Sequence, residues 1–398
     1  MKQHDVIIIG AGAAGMMCAA EAAKRGRDVL LVDHAKKPGD KIRISGGGRC
    51  NFTNINTSYK QFLSENPRFS ISPLKRFSQH DFIERVEARG IAFHEKTLGQ
   101  LFCDESAQQI IDMLVDDMRD AGVVVKLGVE VSHLAKMAPT DHEAEFHLVI
   151  DGEHYAANKV VIATGGKSIP KMGATGFGYD VAKHFGVRVV DTRPALVPLT
   201  FDPSILSEMK ELSGVSVNDA VVSHGKTKFS EAMLFTHRGL SGPSILQISS
   251  FWREGDQVAI AMLPEFDVLE ELKGARQVSG KSEIQTILAQ WLPKKLVAFV
   301  LKQARVSGRL ADLSDKKLLL VSDQINDWRI KPTGSEGYRT AEVTLGGVAT
   351  NELENKTMEA KSVPGLYFIG EVVDMTGWLG GYNFQWAWSS GWVAGQSV

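Results

Sequence analysis

The pattern Gly10-Ala-Gly12-Ala-Ala-Gly15 restricts what this chain can fold into more than any other feature. It follows an apolar strand at residues 6–9, opens a helical stretch at 15–24, and leads to a second apolar strand at 29–32. Glycines so placed allow a tight turn, close approach of the backbone to a pyrophosphate, and close packing of helix on strand. Ala14 lies between the last two of them, and the amides of the helix N-terminus face the anion. Asp33 ends the second strand, where an acidic side chain accepts hydrogen bonds from ribose hydroxyls. This start predicts an α/β chain with a Rossmann-like dinucleotide-binding domain. Taken alone, it fits NAD as well as FAD.

Three distant segments favour FAD, which is extended and must be lined along its whole length. Residues 159–166 form an apolar strand ending in the turn Thr164-Gly165, and residues 365–371 repeat that plan. There Gly370 would let the backbone approach a cofactor, while Glu371 could accept a hydrogen bond from a ribityl hydroxyl. Asp374 follows in the same segment, and Gly381, Tyr382 and Asn383 open an apolar run whose first amides would point at the flavin N1 and C2 oxygen. The third segment is Ser45-Gly46-Gly47-Gly48-Arg49-Cys50-Asn51. Consecutive glycines are entropically costly and serve turns or backbone approach to a ligand.

Together these residues resemble the FAD-dependent flavoprotein family that includes the aminoacetone oxidases and the BaiN/YhiN-type oxidoreductases. The resemblance spans nearly the whole chain. It rests on ISGGGRCNFTN at 44–54, FTHRGLSGP at 235–243, AEVTLGGV at 341–348 and GLYFIGEVVDMTGWLGGYNFQWAWSSG at 365–391. It implies a discontinuous FAD domain (1–192 and 340–398), an inserted β-barrel-like domain (193–265 and 321–339) and a nested helical subdomain (266–320). The texture of the sequence changes at about the same places. The resemblance also implies FAD contacts at Ala14, Asp33, Lys41, Val131, Glu371 and Asn383, with Ser45 to Asn51 lining the groove. Gln100-Leu-Phe-Cys103 departs from the family, many of whose members carry proline at the cysteine position. A wider similarity to fumarate-reductase-like flavoproteins is carried by 173–178 and Gly346-Gly347.

Chemistry at such a site belongs to the flavin, with hydride transfer at N5. For proton transfer His237 is the first candidate, and Cys50, with Arg49 beside it, is a candidate redox thiol. Trp378, Trp386 and Trp388 either cover the flavin or belong to the core. The three cysteines have no metal-ligand spacing, so no metal is expected, and no apolar run reaches membrane-spanning length. A cytoplasmic enzyme is expected. A net charge of −2 argues against a polyanion partner, so the expected partners are a small organic substrate and transient NAD(P)H or O2, with no nucleic acid and no membrane. Three functions stay open: a general FAD-dependent oxidoreductase, including a reductase fed by NAD(P)H; an oxidase of small amines that releases peroxide; and a flavin-bearing RNA-modifying protein.

Overall fold

A computed structural model of the chain describes residues 1–137 and 145–398. The chain forms two compact units, one from Met1–Arg193 and Val343–Val398, the other from Pro194–Glu342.

The first unit is built on a sheet whose central strands are parallel. In chain order these are β1 (Lys2–Ile9), β2 (Val29–Asp33), β3 (Val124–Leu127), β4 (Val131–Lys136), β5 (Phe146–Ile150), β6 (Glu153–Ile162) and β7 (Leu366–Phe368). Their spatial order is β3-β2-β1-β6-β5-β4, and β7 pairs with the far end of β6. Val6, Ile7 and Ile8 of β1 are wholly buried, as expected for a parallel strand covered on both faces. The ten residues of β6 serve two neighbours on one edge: Glu153 to Ala157 pair antiparallel with β5, whereas Val160 to Ile162 pair parallel with β7. The two ends of the chain therefore share one sheet.

Helix α1 (Ala13–Lys24) and the C-terminal helix α2 (Tyr382–Gly395) pack at close quarters, because glycines of α2 face α1. A Cβ at Gly391 would lie 2.5 Å from the Ala14 carbonyl oxygen and 3.1 Å from the Met17 Cβ; one at Gly395 would lie 2.7 Å from the Glu21 Cβ. Arg25 and Arg27 hold the end of the chain, donating to the Val398 carbonyl oxygen at 3.1 Å each. Trp386 and Trp388 are core residues. Trp388 stacks on Phe82 with ring centroids 4.4 Å apart and donates to the Phe52 carbonyl oxygen, while Trp386 donates to that of Gly370. Trp378 is half-buried, its amide bonded to the Gln61 carbonyl oxygen.

The second unit carries two antiparallel sheets, of five and four strands. The strand-like run at 215–222 is interrupted: Ser216–Val217 and Val221–His224 are separate strands in different sheets. Asn218 and Asp219 form a turn between them, a role for which their side chains suit them. Two short helices, Pro203–Met209 and Pro243–Ser249, accompany the sheets, and helices Val268–Ser279, Ile284–Leu288, Lys294–Ala304 and Asp315–Asn326 follow in the same unit. Among the described residues, no helix is long and apolar enough to cross a membrane.

Candidate functional site

The glycine fingerprint lies where β1 ends and α1 begins, and its three glycines do different things. Gly10 has φ +114°, and a side chain there would strike the Ala163 carbonyl at the end of β6. A Cβ on Gly15 would lie 1.8 Å from the Gly10 carbonyl oxygen. Both are needed for the turn itself. Gly12 has an extended backbone (φ −83°, ψ −170°), and a Cβ there would meet no atom within 4 Å. Its missing side chain leaves open space before the N-terminus of α1, where a phosphate group fits.

Asp33 is partly buried and secures this turn: its carboxylate accepts the Ala11 N–H at 2.6 Å and the Ala35 N–H at 2.8 Å. Two acceptors of that carboxylate are thus engaged, and lone pairs remain for ribose hydroxyls. The segment before Val131 runs alongside, with the Val129 N–H donating to the Asp33 carbonyl at 3.1 Å and that of Gly128 to Ala35 at 2.9 Å. Val131, half-exposed, therefore begins β4 close in sequence to the Asp33 end of the groove.

A second cluster gathers around Glu371. Lys41 Nζ donates to Glu371 Oε2 and to Ser168 Oγ, each at 2.7 Å; Glu371 Oε1 accepts the Thr344 N–H at 2.9 Å and Ser168 Oγ–H at 3.1 Å. A Cβ on Gly166 would come within 2.6 Å of Glu371 Oε1, so the Gly165-Gly166 turn must lack side chains for the cluster to form. Thr164 Oγ1 beside it is buried against Gly178 and, among the described residues, has no hydrogen-bond partner, which leaves it able to take one from a bound ligand. Ser168 and Thr344 were not foreseen from sequence; the only signal is that Ser168 follows the Thr-Gly-Gly turn. Gly370 approaches α1, its Cβ position 2.9 Å from the Ala14 Cβ, and its N–H donates to Ser390 Oγ at 3.0 Å.

The third segment also takes shape. Gly46 and Gly47 adopt left-handed φ of +58° and +68°, and Gly47 and Gly48 have open space where a side chain would be. Ser45 Oγ donates to the Ile42 carbonyl at 2.7 Å, and the Ser45 carbonyl accepts the Cys50 N–H, which closes the loop. Asn51 joins it to the C-terminal segment: its amide faces the Gly381 N–H at 3.3 Å and the Gln100 amide at 3.2 Å. Asn383 shapes the entry to α2, accepting the Gly377 N–H at 2.8 Å and donating to its carbonyl at 2.9 Å. Gly381, with φ +94°, caps that helix, and the Tyr382 ring is buried edge-on against Phe62.

Two expected contacts have other employment in the structure. The carboxylate of Asp374 is buried and accepts the Glu65 N–H at 2.9 Å and Ser64 Oγ–H at 3.2 Å; burial raises its pKa, the two hydrogen bonds opposing. It ties one loop to another rather than offering an acceptor to a ligand. Cys50 is wholly buried, and burial pushes its thiol far up, which disfavours the thiolate a redox cysteine needs. Arg49 is exposed and, among the described residues, its guanidinium has no hydrogen-bond or ion-pair partner. His237 belongs to the second unit, in the turn between strands Met233–Thr236 and Gly239–Ser241. Thr236 Oγ1 fixes that turn by accepting the N–H groups of Arg238 and Gly239, which leaves the exposed imidazole uncommitted. Among the described residues no group of three metal-ligating side chains could hold a metal ion.

The open space at Gly12, the orphaned Thr164 hydroxyl and the chain of hydrogen bonds from Lys41 to Glu371 fit an extended dinucleotide. The comparisons with known proteins agree. Residues 4–397 match the family described as HI0933-like protein Rossmann domain. An Escherichia coli protein named ribosomal RNA dihydrouridine synthase is 52% identical, covering 100% of this chain and 98% of its own length. A Clostridium scindens protein named 3-dehydro-bile acid delta(4,6)-reductase is 29% identical over 98% of both chains. The solved structure of 3-ketosteroid delta1-dehydrogenase from Sterolibacterium denitrificans has the same fold, with a TM-score of 0.52 at 15% identity over 100% of this chain and 99% of that one. The cofactor is accordingly FAD. The expectation that no nucleic acid is a partner is overturned, because a relative so similar over its full length is named for action on RNA.

Proposed function

The chain belongs to the HI0933-like Rossmann-domain family and is an FAD-dependent oxidoreductase; from that premise we propose that it reduces the C5–C6 double bond of uridine in ribosomal RNA to give dihydrouridine. One observation carries the reading: the full-length likeness to the Escherichia coli relative of that name. The bile-acid relative is also named a reductase, and the uracil C5–C6 bond is conjugated to a carbonyl, which makes C6 an acceptor for hydride. Bound and reduced, FAD supplies that hydride from N5. The amine-oxidase reading gains no support, since neither relative is named for it.

The chain's own residues then have defined tasks. Gly12 and the N-terminus of α1 receive the pyrophosphate, and Asp33 the adenosine ribose. Glu371, held by Lys41, Ser168 and the Thr344 amide, accepts from the ribityl chain. The amides at the start of α2 would hold the pyrimidine edge of a bound flavin, where negative charge gathers on reduction. One dinucleotide fingerprint is present, so a nicotinamide donor would have to dock transiently rather than occupy a second Rossmann domain. Saturation at C5 also needs a proton, and His237, the candidate named from the sequence, is the residue to test as its donor.

Deleting the gene should remove dihydrouridine from ribosomal RNA, measured by mass spectrometry of nucleoside digests, and the wild-type gene should restore it. Unchanged dihydrouridine in the deletion strain would refute the reading. His237→Ala should retain full FAD and lower the reduction rate by about 100-fold, the low end for a general acid. Wild-type turnover in that variant would remove His237 from the mechanism and leave the rest standing.

A further inference from the structure

The net charge of −2 hides a strongly one-sided stretch in the second unit. Between Glu283 and Asp312 the sequence has no acidic residue, yet it holds Lys294, Lys295, Lys302, Arg305 and Arg309. Helix Lys294–Ala304 and the turn after it carry all five, and all five are exposed. Lys295, Ala298, Lys302 and Arg305 recur at the spacing of one helix face, with Lys294 at its border. Ala298, small and exposed, sits in the middle of this face and lets a partner approach the helix backbone. None of the five cations makes an ion pair or side-chain hydrogen bond among the described residues. By contrast, Lys273 and Arg276 of the preceding helix pair with Glu270 and Asp315. An acidic side chain does come near the C-terminal end of the helix: Glu208, which Gln303 holds at 2.7 Å.

We propose that this face of helix Lys294–Ala304, continued to Arg309, binds the phosphate backbone of the RNA substrate. The inference rests on the ribosomal RNA reading above and adds where the RNA is gripped. A basic amphipathic helix can instead lie on an anionic membrane, but that requires a free apolar face. Here the apolar face is spent: Leu296, Val297, Phe299, Val300, Leu301 and Ala304 are buried in the unit's own core. What is offered outward is cationic and unpaired, which suits a polyanion whose counterions are released on contact. The contacts are to backbone, so they supply affinity and not base choice.

The test compares holoenzyme with a variant carrying Lys294→Gln, Lys295→Gln, Lys302→Gln and Arg309→Gln. A control neutralises Lys183, Lys226, Lys228 and Lys331, exposed lysines elsewhere. Binding of labelled ribosomal RNA is followed from low to moderate salt, with FAD content and melting temperature as checks on folding. The helix variant should bind at least about tenfold more weakly near 0.1 M salt, and its log–log salt slope should be shallower by about 3, as expected for four lost phosphate contacts. The control should keep the wild-type slope. A helix variant with wild-type affinity and slope, or a control that loses as much, overturns the proposal. So does wild-type protein that binds anionic phospholipid vesicles and not RNA. Wild-type protein that binds ribosomal RNA through this face while the deletion strain keeps its dihydrouridine would sink the enzymatic reading and leave the surface assignment intact.

Discussion

Gly12→Val protein should purify colourless and yet fold. Its backbone at residue 12 is extended, a conformation open to any L-residue, and a Cβ there meets no atom within 4 Å. The fold is therefore indifferent to the new side chain. The pyrophosphate is not, because the isopropyl group fills the space through which it reaches the N-terminus of α1. Adding FAD at 100 times its Kd should stabilise stripped wild-type protein by about 2.7 kcal/mol and leave the variant's melting temperature unmoved. Gly15→Val makes the contrast: its Cβ would lie 1.8 Å from the Gly10 carbonyl oxygen, so that chain should fail to fold, with or without flavin. A Gly12→Val protein that retains yellow flavin at wild-type affinity would refute the placement of the pyrophosphate.

Gly391→Val in α2 should be strongly destabilising. The Cβ would sit 2.5 Å from the Ala14 carbonyl oxygen, a backbone atom that cannot rotate aside. Overpacking of this kind costs about 1–3 kcal/mol, and more where backbone must shift, whereas intrinsic helix propensity favours valine over glycine by only about 0.3 kcal/mol. A loss of about 3 kcal/mol or more is expected in denaturant unfolding. Fluorescence of Trp386 and Trp388, both buried on the same helix, reports it. FAD affinity should fall as well, since Ala14 is also the residue against which Gly370 rests. Wild-type stability in Gly391→Val would mean that the two helices are not held at this distance.

The sequence discloses those parts of the site that rest on backbone geometry. Gly10 and Gly15 are legible because the turn leaves no room for a side chain, Gly12 because a phosphate must approach there, and β1 because a run of buried β-branched residues has few other readings. Side-chain partners are less legible. Nothing in the sequence joins Lys41 to Ser168 or Thr344 to Glu371, because those pairs are made by segments far apart in the chain: a short helix, two loops or turns and a strand. Asp374 illustrates the opposite error: an acidic residue in the right segment whose carboxylate faces Ser64 and Glu65. Tryptophans on α2 were ambiguous because a helix buried on nearly all sides has no polar face to orient it; their indole N–H bonds to Phe52 and Gly370 decide for the core. The expectation of no nucleic-acid partner rested on the total charge. Summed over 398 residues, the five cations between Glu283 and Asp312 disappear into a net charge of −2. A total charge averages over exactly the distances that a phosphate backbone resolves.

The pairing of β7 with β6, and the packing of α2 on α1, also set an order of events in the cell. At about 5–20 residues per second, several hundred residues separate the appearance of the glycine turn from that of its C-terminal partners, a delay of roughly 20 to 80 seconds. During that interval the turn exists without Glu371, Gly370 or the amides of α2. A nascent or interrupted chain that stops short of Tyr382 can gather part of a flavin groove but cannot close it. Flavin capture thereby waits for α2, and the yellow colour of a preparation reports chains translated through Gly395.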